Sequence, residues 1–284
     1  MKYIDLHVHS TISDGTFTPT ELVEEAIRCQ LSAFALTDHD TVSGIPEALE
    51  AAERAKEAGT PIEVVPGVEI SAGYKKKDIH ILGLLVDHTN EILTQTLEQA
   101  LAERDARNEK MAENLKNGGL DIDIDRLRAS FPVRTVLTRA HFAKYLMETG
   151  QISSINAAFD HYLNADGPFY VPRKYISPEH AISLIRKAGG VPVLAHPLVY
   201  QLPEDELDQL LARLTDAGLM GLEVIYSTNR GFDEGILRRY ANKYHLLMTG
   251  GSDFHGANKP LISMGKGKGN LKIPYSLLEQ LKKQ

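Results

Sequence analysis

Tyr3-Ile4-Asp5-Leu6-His7-Val8-His9-Ser10 decides how the rest of the chain is read. Along an extended strand successive side chains point to opposite faces, so His7 and His9 project from the same face while Ile4, Leu6 and Val8 alternate with them and pack. Two imidazoles side by side on one strand suit a common metal ion. A single His-x-His is a weak signal, but four later apolar runs end in the same kind of side chain. They are Thr37-Asp38-His39-Asp40, Gly67-Val68-Glu69, Ala195-His196-Pro197 and Gly251-Ser252-Asp253-Phe254-His255. Histidines satisfied inside a core would account for one or two of these and not for all.

The chain has 284 residues, 43% hydrophobic and 24% charged, with a formal net charge of -7. That length allows one barrel-sized domain plus an insertion. The negative charge excludes a global field that recruits long nucleic acid, though a local cationic pocket for a small polyanion remains open. One cysteine, Cys29, excludes an internal disulfide and fits a reducing compartment. The first strand begins at residue 3, which leaves no room for a signal peptide. No apolar run approaches the ~18 residues of a membrane span, so the chain reads as cytoplasmic, with no membrane partner.

Apolar strands are expected at about 3–9, 33–37, 62–70, 79–86, 191–195, 221–226 and 246–249. Helical patterns are expected between most of them, the first opened by Thr18-Pro19-Thr20-Glu21, a cap with proline at the first helical position. From 91 to 171 only helical patterns occur, at about 91–117, 123–130, 136–148 and 154–163. The expectation is an α/β fold: a closed or nearly closed barrel of seven strands from 1–90 and 172–284, with a helical insertion at 91–171. In such barrels the reactive groups sit at strand C-terminal ends, where His9, His39, Glu69, His196, Asp253 and His255 are expected to fall. Imidazole and carboxylate without thiolate suit Zn, Mn or Fe. The donors outnumber the needs of one ion, so two or three divalent ions are implied, and such centres favour hydrolysis of phosphate esters.

These five segments together resemble the PHP (polymerase and histidinol phosphatase) phosphoesterases, within the wider amidohydrolase-like metal hydrolases. The resemblance implies a distorted seven-stranded β/α barrel with a trinuclear site of Mn, Zn or Fe. Carried over by position, His7, His9, Glu69 and Asp253 hold the first ion. Glu69 bridges to a second, held also by His196 and His80, and Asp14, His39 and His255 hold the third. Asp14 stands where other members carry histidine, and His80 lies within a strand pattern rather than after one. Glu69, Asp253, His255 and His196 form the catalytic set. Asp38, Asp40, Ser10 and Ser252 read as residues that orient imidazoles or cap the turns.

The insertion is similar to a subgroup acting on nucleoside 3′,5′-bisphosphates and on 5′ ends of short RNA. The matching residues are Thr138-Arg139-Ala140-His141-Phe142-Ala143, then Phe159-Asp160 with Tyr162-Leu163, then Tyr170-Val171-Pro172. A substrate with two phosphates needs cations besides the metals, and Arg139 suits a bidentate clamp. His141 reaches the same ligand only if a helix starts there. Arg173 and Lys174 add charge from the rim, and Tyr170 stacks on a base or packs. The expected partner is a small phosphorylated substrate: a nucleoside 3′,5′-bisphosphate losing its 3′-phosphate, or short 5′-phosphorylated RNA. Histidinol-phosphate phosphatase is the alternative enzyme, and a non-catalytic metal-stabilised module the alternative of another class.

Overall fold

A computed structural model describes residues 2–75, 77–131, 135–164, 167–172 and 175–284. Seven strands lie side by side in sequence order: β1 (Ile4–Val8), β2 (Ala33–Leu36), β3 (Glu63–Tyr74), β4 (Lys77–Leu84), β5 (Val191–Leu194), β6 (Gly221–Tyr226) and β7 (Leu247–Gly251). β1, β2 and β3 are mutually parallel, as are β5, β6 and β7. β4 runs against both neighbours. The ring then nearly closes, because the chain just past β7 pairs with β1. His9 N–H donates to the Phe254 carbonyl at 3.0 Å, and Asp253 N–H donates to the His7 carbonyl at 2.9 Å. Only glycine permits this approach: a Cβ at Gly251 would run into His7.

The reversal at β4 corrects one sequence expectation and explains a second. β3 does not end near Glu69. It continues to Tyr74, pairing with β2 as far as Pro66 and with β4 from Gly67 on, while Glu69 also pairs with His39 beyond the end of β2 and Ala72 with Ile176. Glu69 therefore sits mid-strand, opposite Leu82, just past the point where β3 leaves β2. His80 lies inside β4, opposite Ser71. In a strand of reversed direction it is the N-terminal half that reaches the mouth where the parallel strands end.

The helices form where caps and apolar stripes coincide. In α1 (Pro19–Arg28) the Thr18 hydroxyl accepts from Glu21 N–H at 3.1 Å and the Glu21 carboxylate accepts from Thr18 N–H at 2.7 Å. α2 is Ile45–Glu57. α1 and α2, with α7 (Pro178–Lys187), α8 (Glu204–Asp216) and α9 (Asp233–Lys243), bury Leu22, Ala48, Ile182, Leu210 and Leu237 against the strands. The C-terminal segment with α10 (Ser276–Leu281) packs Ile273, Leu278 and Leu281 on Ile4 and Leu6. Ile4 N–H donates to Ile273, so this segment covers the end of β1 away from His7 and His9.

Between β4 and α7 the described residues form α3 (Glu91–Asn117), α4 (Ile124–Ala129), α5 (Arg139–Glu148), α6 (Ile155–Ala158) and a π-helical turn at Phe159–Leu163, with no strand. Met111, Leu115, Leu127, Phe142, Leu146 and Leu163 make a separate core there. Val136 N–H donates to Ile12 and the Thr135 hydroxyl to Thr11, which fastens this helical segment to the loop carrying Asp14. Among the described residues, no helix is long and apolar enough to cross a membrane.

Candidate metal centre

All nine residues expected to hold metal converge at one mouth of the barrel. Their ligand atoms form four overlapping groups, each within 4.8 Å: His9, Asp14, His39 and His255; His7, Glu69 and His196; His7, His9 and Asp253; His39, Glu69 and His80. Glu69 is the hub. Oε1 lies 2.8 Å from His80 Nδ1, 3.0 Å from His196 Nε2 and 3.3 Å from His7 Nε2, while Oε2 lies 3.1 Å from His39 Nδ1 and 3.2 Å from His9 Nε2. Asp14 Oδ1 is 3.1 Å from His255 Nε2, and Asp253 Oδ1 is 3.4 Å from His9 Nε2.

These residues fit a metal on two counts. His7 Nε2, His9 Nε2, Asp14 Oδ1 and His39 Nδ1 are buried and make no hydrogen bond, an expensive condition for polar atoms unless something else satisfies them. The rings also crowd: His9 lies 4.1 Å from His255 and 4.6 Å from His39 between centroids. Imidazoles so packed cannot all carry protons, whereas neutral rings and carboxylates sharing divalent ions satisfy one another.

The electrostatics describe the same competition. Burial opposes ionisation of Glu69, yet His80, His7 and His39 hold its carboxyl well below the usual carboxylate range. Burial also opposes charge on His9, but Asp253 and Glu69 raise it to about 9. His39 goes the other way, down to about 3, because burial and the neighbouring His9 and His80 outweigh Glu69 and Asp14.

Around the donors lies a layer of hydrogen bonds. Asp38 accepts from Ser10 N–H, Ser10 Oγ and Ser13 Oγ at 2.8, 2.6 and 2.6 Å. It fixes the loop after β1, rather than an imidazole or the turn that follows Asp38 itself. Asp40, with φ of 53°, accepts from Ser71 N–H and Oγ and is ion-paired with Arg104 of α3. Ser252 donates both its N–H and its hydroxyl to Asp5.

Four groups beside the donors escaped the sequence reading. Glu223, fully buried on β6, receives His7 Nδ1 at 3.0 Å and His196 N–H at 2.7 Å, so one carboxylate orients two donors. Its signal was a charge inside the apolar run Gly221-Leu222-Glu223-Val224-Ile225-Tyr226. Asp5, also fully buried, accepts from Ser252, Gly265 N–H and His7 N–H. Arg104 and Arg107 are buried on α3. The inward stripe of α3 runs Leu93, Leu97, Ala100, then Met111 and Leu115 at spacings of 3, 4 and 11. Positions 104 and 107 continue its phase, so both arginines face inward.

A cavity of about 190 Å³ lies over the mouth. Its lining brings Asp14, His39 and His80 together with Arg104, Arg107 and Arg139, and with a second carboxylate, Asp78. Arg139 and His141 occupy the first turn of α5, so the helix start that both needed is present. Arg139 lines the cavity; its guanidinium donates to the Leu163 carbonyl at 3.3 Å and lies 5.6 Å over the Tyr170 ring. Tyr170 thus packs against Arg139. His141 does not line the cavity: it is buried, and its Nδ1 accepts from Thr138 N–H at 2.9 Å, capping α5. One ring nitrogen of His141 is thus committed to the helix cap. Arg173 and Lys174 lie outside the described residues.

The PHP domain family matches residues 5–250. The chain belongs to it. A 5′-3′ exoribonuclease of Haemophilus influenzae is 36% identical over 254 residues, covering 89% of this chain and 90% of that protein. A 3′,5′-nucleoside bisphosphate phosphatase of Chromobacterium violaceum is 33% identical over 255 residues, covering 90% of this chain and 88% of that one. The solved structure of a Bifidobacterium adolescentis protein designated a metal-dependent phosphoesterase matches with a TM-score of 0.84 and 32% identity, covering 99% of this chain and 95% of its own. The PHP fold and the phosphoesterase class expected from the motifs are both borne out.

Proposed function

We propose that this PHP chain removes the 3′-phosphate of nucleoside 3′,5′-bisphosphates, works from the 5′-phosphorylated end of short RNA, or does both. The reaction is metal-dependent phosphoester hydrolysis by a phosphoric ester hydrolase. Two relatives that together cover both activities support the reading. The observation that carries it is the cavity, whose lining combines metal-type donors with three arginines. His7, His9, Glu69 and Asp253 would hold one ion, Glu69, His80 and His196 a second, and Asp14, His39 and His255 a third. Two or three divalent ions of Mn, Zn or Fe, when bound, neutralise phosphoryl oxygens and acidify a water.

The rest falls to the chain's own residues. Glu223 fixes the ring of His7 and the backbone of His196. Arg139 and Arg107 offer planar donors to a phosphate that does not react, and Arg104, anchored on Asp40, keeps α3 over the mouth. The residues from 91 to 171 act as a cap that holds the second phosphate. Histidinol phosphate matches this cavity less well, because it carries one phosphate and has no second one for Arg139.

Arg139→Met tests the reading. Each charge-assisted hydrogen bond contributes roughly 1.5–3 kcal/mol, so KM for adenosine 3′,5′-bisphosphate should rise at least tenfold while turnover of p-nitrophenyl phosphate stays unchanged. An unaltered KM for the bisphosphate would contradict the assignment of this cavity.

A further inference from the structure

Asp253 divides its two carboxylate oxygens between different tasks. Oδ1 faces the imidazole cluster, 3.4 Å from His9 Nε2, 3.3 Å from His255 Nδ1 and 3.8 Å from His7 Nε2. Oδ2 faces away and accepts two hydrogen bonds, from the Tyr226 hydroxyl at 2.7 Å and from Lys259 Nζ at 2.6 Å. Tyr226 comes from the end of β6. Lys259 comes from a short turn after β7 that doubles back over Asp253.

That turn is built for the return. Gly256 has φ of 61°, and a Cβ there would meet Thr16 and Phe17. Ala257 N–H donates to Thr16 Oγ1 and Asn258 Nδ2 to the Asp14 carbonyl, so the turn is pinned to the loop carrying another metal donor. Asp253 itself sits at φ of 56°, a region that a non-glycine residue occupies at a cost. An ordinary surface ion pair has both partners in water, whereas the Asp253 side chain is 6% exposed and that of Lys259 38%.

The geometry points to Lys259 and Tyr226 as positioning residues that commit Asp253 to binding metal through Oδ1 alone. An unrestrained carboxylate can chelate with both oxygens or swing between ions. With Oδ2 occupied on two sides, Asp253 offers one oxygen in one direction. Partners that orient a ligand in this way typically change metal affinity or activity by 10–100-fold. The inference rests on Asp253 being a metal ligand, as in the function proposed above.

The test takes Lys259→Met, Lys259→Arg and Tyr226→Phe, each stripped of metal and titrated with Mn²⁺. Bound metal per chain and melting temperature are read first, then phosphate release from adenosine 3′,5′-bisphosphate. Lys259→Met and Tyr226→Phe should each weaken Mn²⁺ binding about tenfold and lower kcat with KM unchanged. Lys259→Arg should restore most of both, because a guanidinium still donates to Oδ2. Tyr226→Phe removes a single hydroxyl and keeps the test decisive if Lys259→Met fails to fold. Unchanged Mn²⁺ affinity and kcat in Lys259→Met and Tyr226→Phe would overturn the inference. So would a raised KM with Mn²⁺ affinity intact, which would make Lys259 a substrate contact. Glu69→Ala, run alongside, separates the two readings: if it keeps its metal, the metal centre itself is wrong. If it loses metal while Lys259→Met does not change, only the positioning role fails.

Discussion

Glu69 touches five imidazoles at 2.8–3.3 Å, whereas Asp14 and Asp253 each meet three at 3.1–3.8 Å. Glu69→Ala should therefore leave several buried rings without their shared partner. Expected outcomes are loss of bound metal by elemental analysis and a fall in phosphate release of about 100-fold or more. Glu223→Gln keeps shape but weakens its hold on His7, and a 10–100-fold drop in activity with a folded circular dichroism spectrum should follow. His141 predicts a pH effect. Burial pushes it down to about 4 from 6.5. Between these values the unfolded chain binds a proton that the folded chain does not, so stability falls as pH drops from about 6.5 to about 4. The loss reaches roughly 3 kcal/mol for this group. Denaturant unfolding of the parent and of His141→Asn at pH 7 and pH 4.5 should show the parent losing more. At this scale His7, His9, His39, Glu69, His196, Asp253 and His255 were legible because each stands in a short motif within or just after an apolar run, whereas Asp14 and His80 were picked out only by the family resemblance. Glu223 and Asp5 were not, because each is a single charge inside an apolar strand, and Arg104 and Arg107 were not, because in the charged run Glu103-Arg104-Asp105-Ala106-Arg107-Asn108-Glu109-Lys110 nothing sets the inward pair apart from its neighbours.

β4 and α3 decide how the site is assembled. An apolar strand pattern carries no sign of direction, and the clue to the reversal of β4 lay in its connection: the eight helix-free residues between the expected strands 62–70 and 79–86 are too few for a parallel crossover, and that reversal is the reason His80 reaches the mouth from inside a strand. α3 was legible as a helix of 27 residues, but its role depends on phase. Its stripe brings Arg104 against buried Asp40, which also holds Ser71 of β3. Removing one partner of such a pair leaves a buried charge, so Arg104→Ala should cost about 3–5 kcal/mol in denaturant unfolding. Arg104→Ala with Asp40→Asn should cost less than the two single changes added together. Simple additivity would mean that the pair does not couple α3 to the barrel.

Across the whole molecule, the seven-strand count and the helical stretch between β4 and α7 were readable from periodicity. Near-closure of the barrel was expected from the same seven strands, but the contact that makes it, main-chain pairing between β1 and the residues after β7, was not readable. That closure places donors from both ends of the chain, His7 and Asp253, at one point, which ties folding to metal. Stripping metal with a chelator should lower the melting temperature. Restoring it should stabilise the fold by about 3 kcal/mol per ion at a hundredfold excess over Kd.

The most direct measurement is phosphate release by Mn-reconstituted protein from adenosine 3′,5′-bisphosphate, beside histidinol phosphate and 5′-AMP. The account predicts rapid release from the bisphosphate with 5′-AMP left as product, and little from the other two. Preference for histidinol phosphate would contradict it, leaving the metal centre in place and the arginine-lined cavity without the role assigned to it.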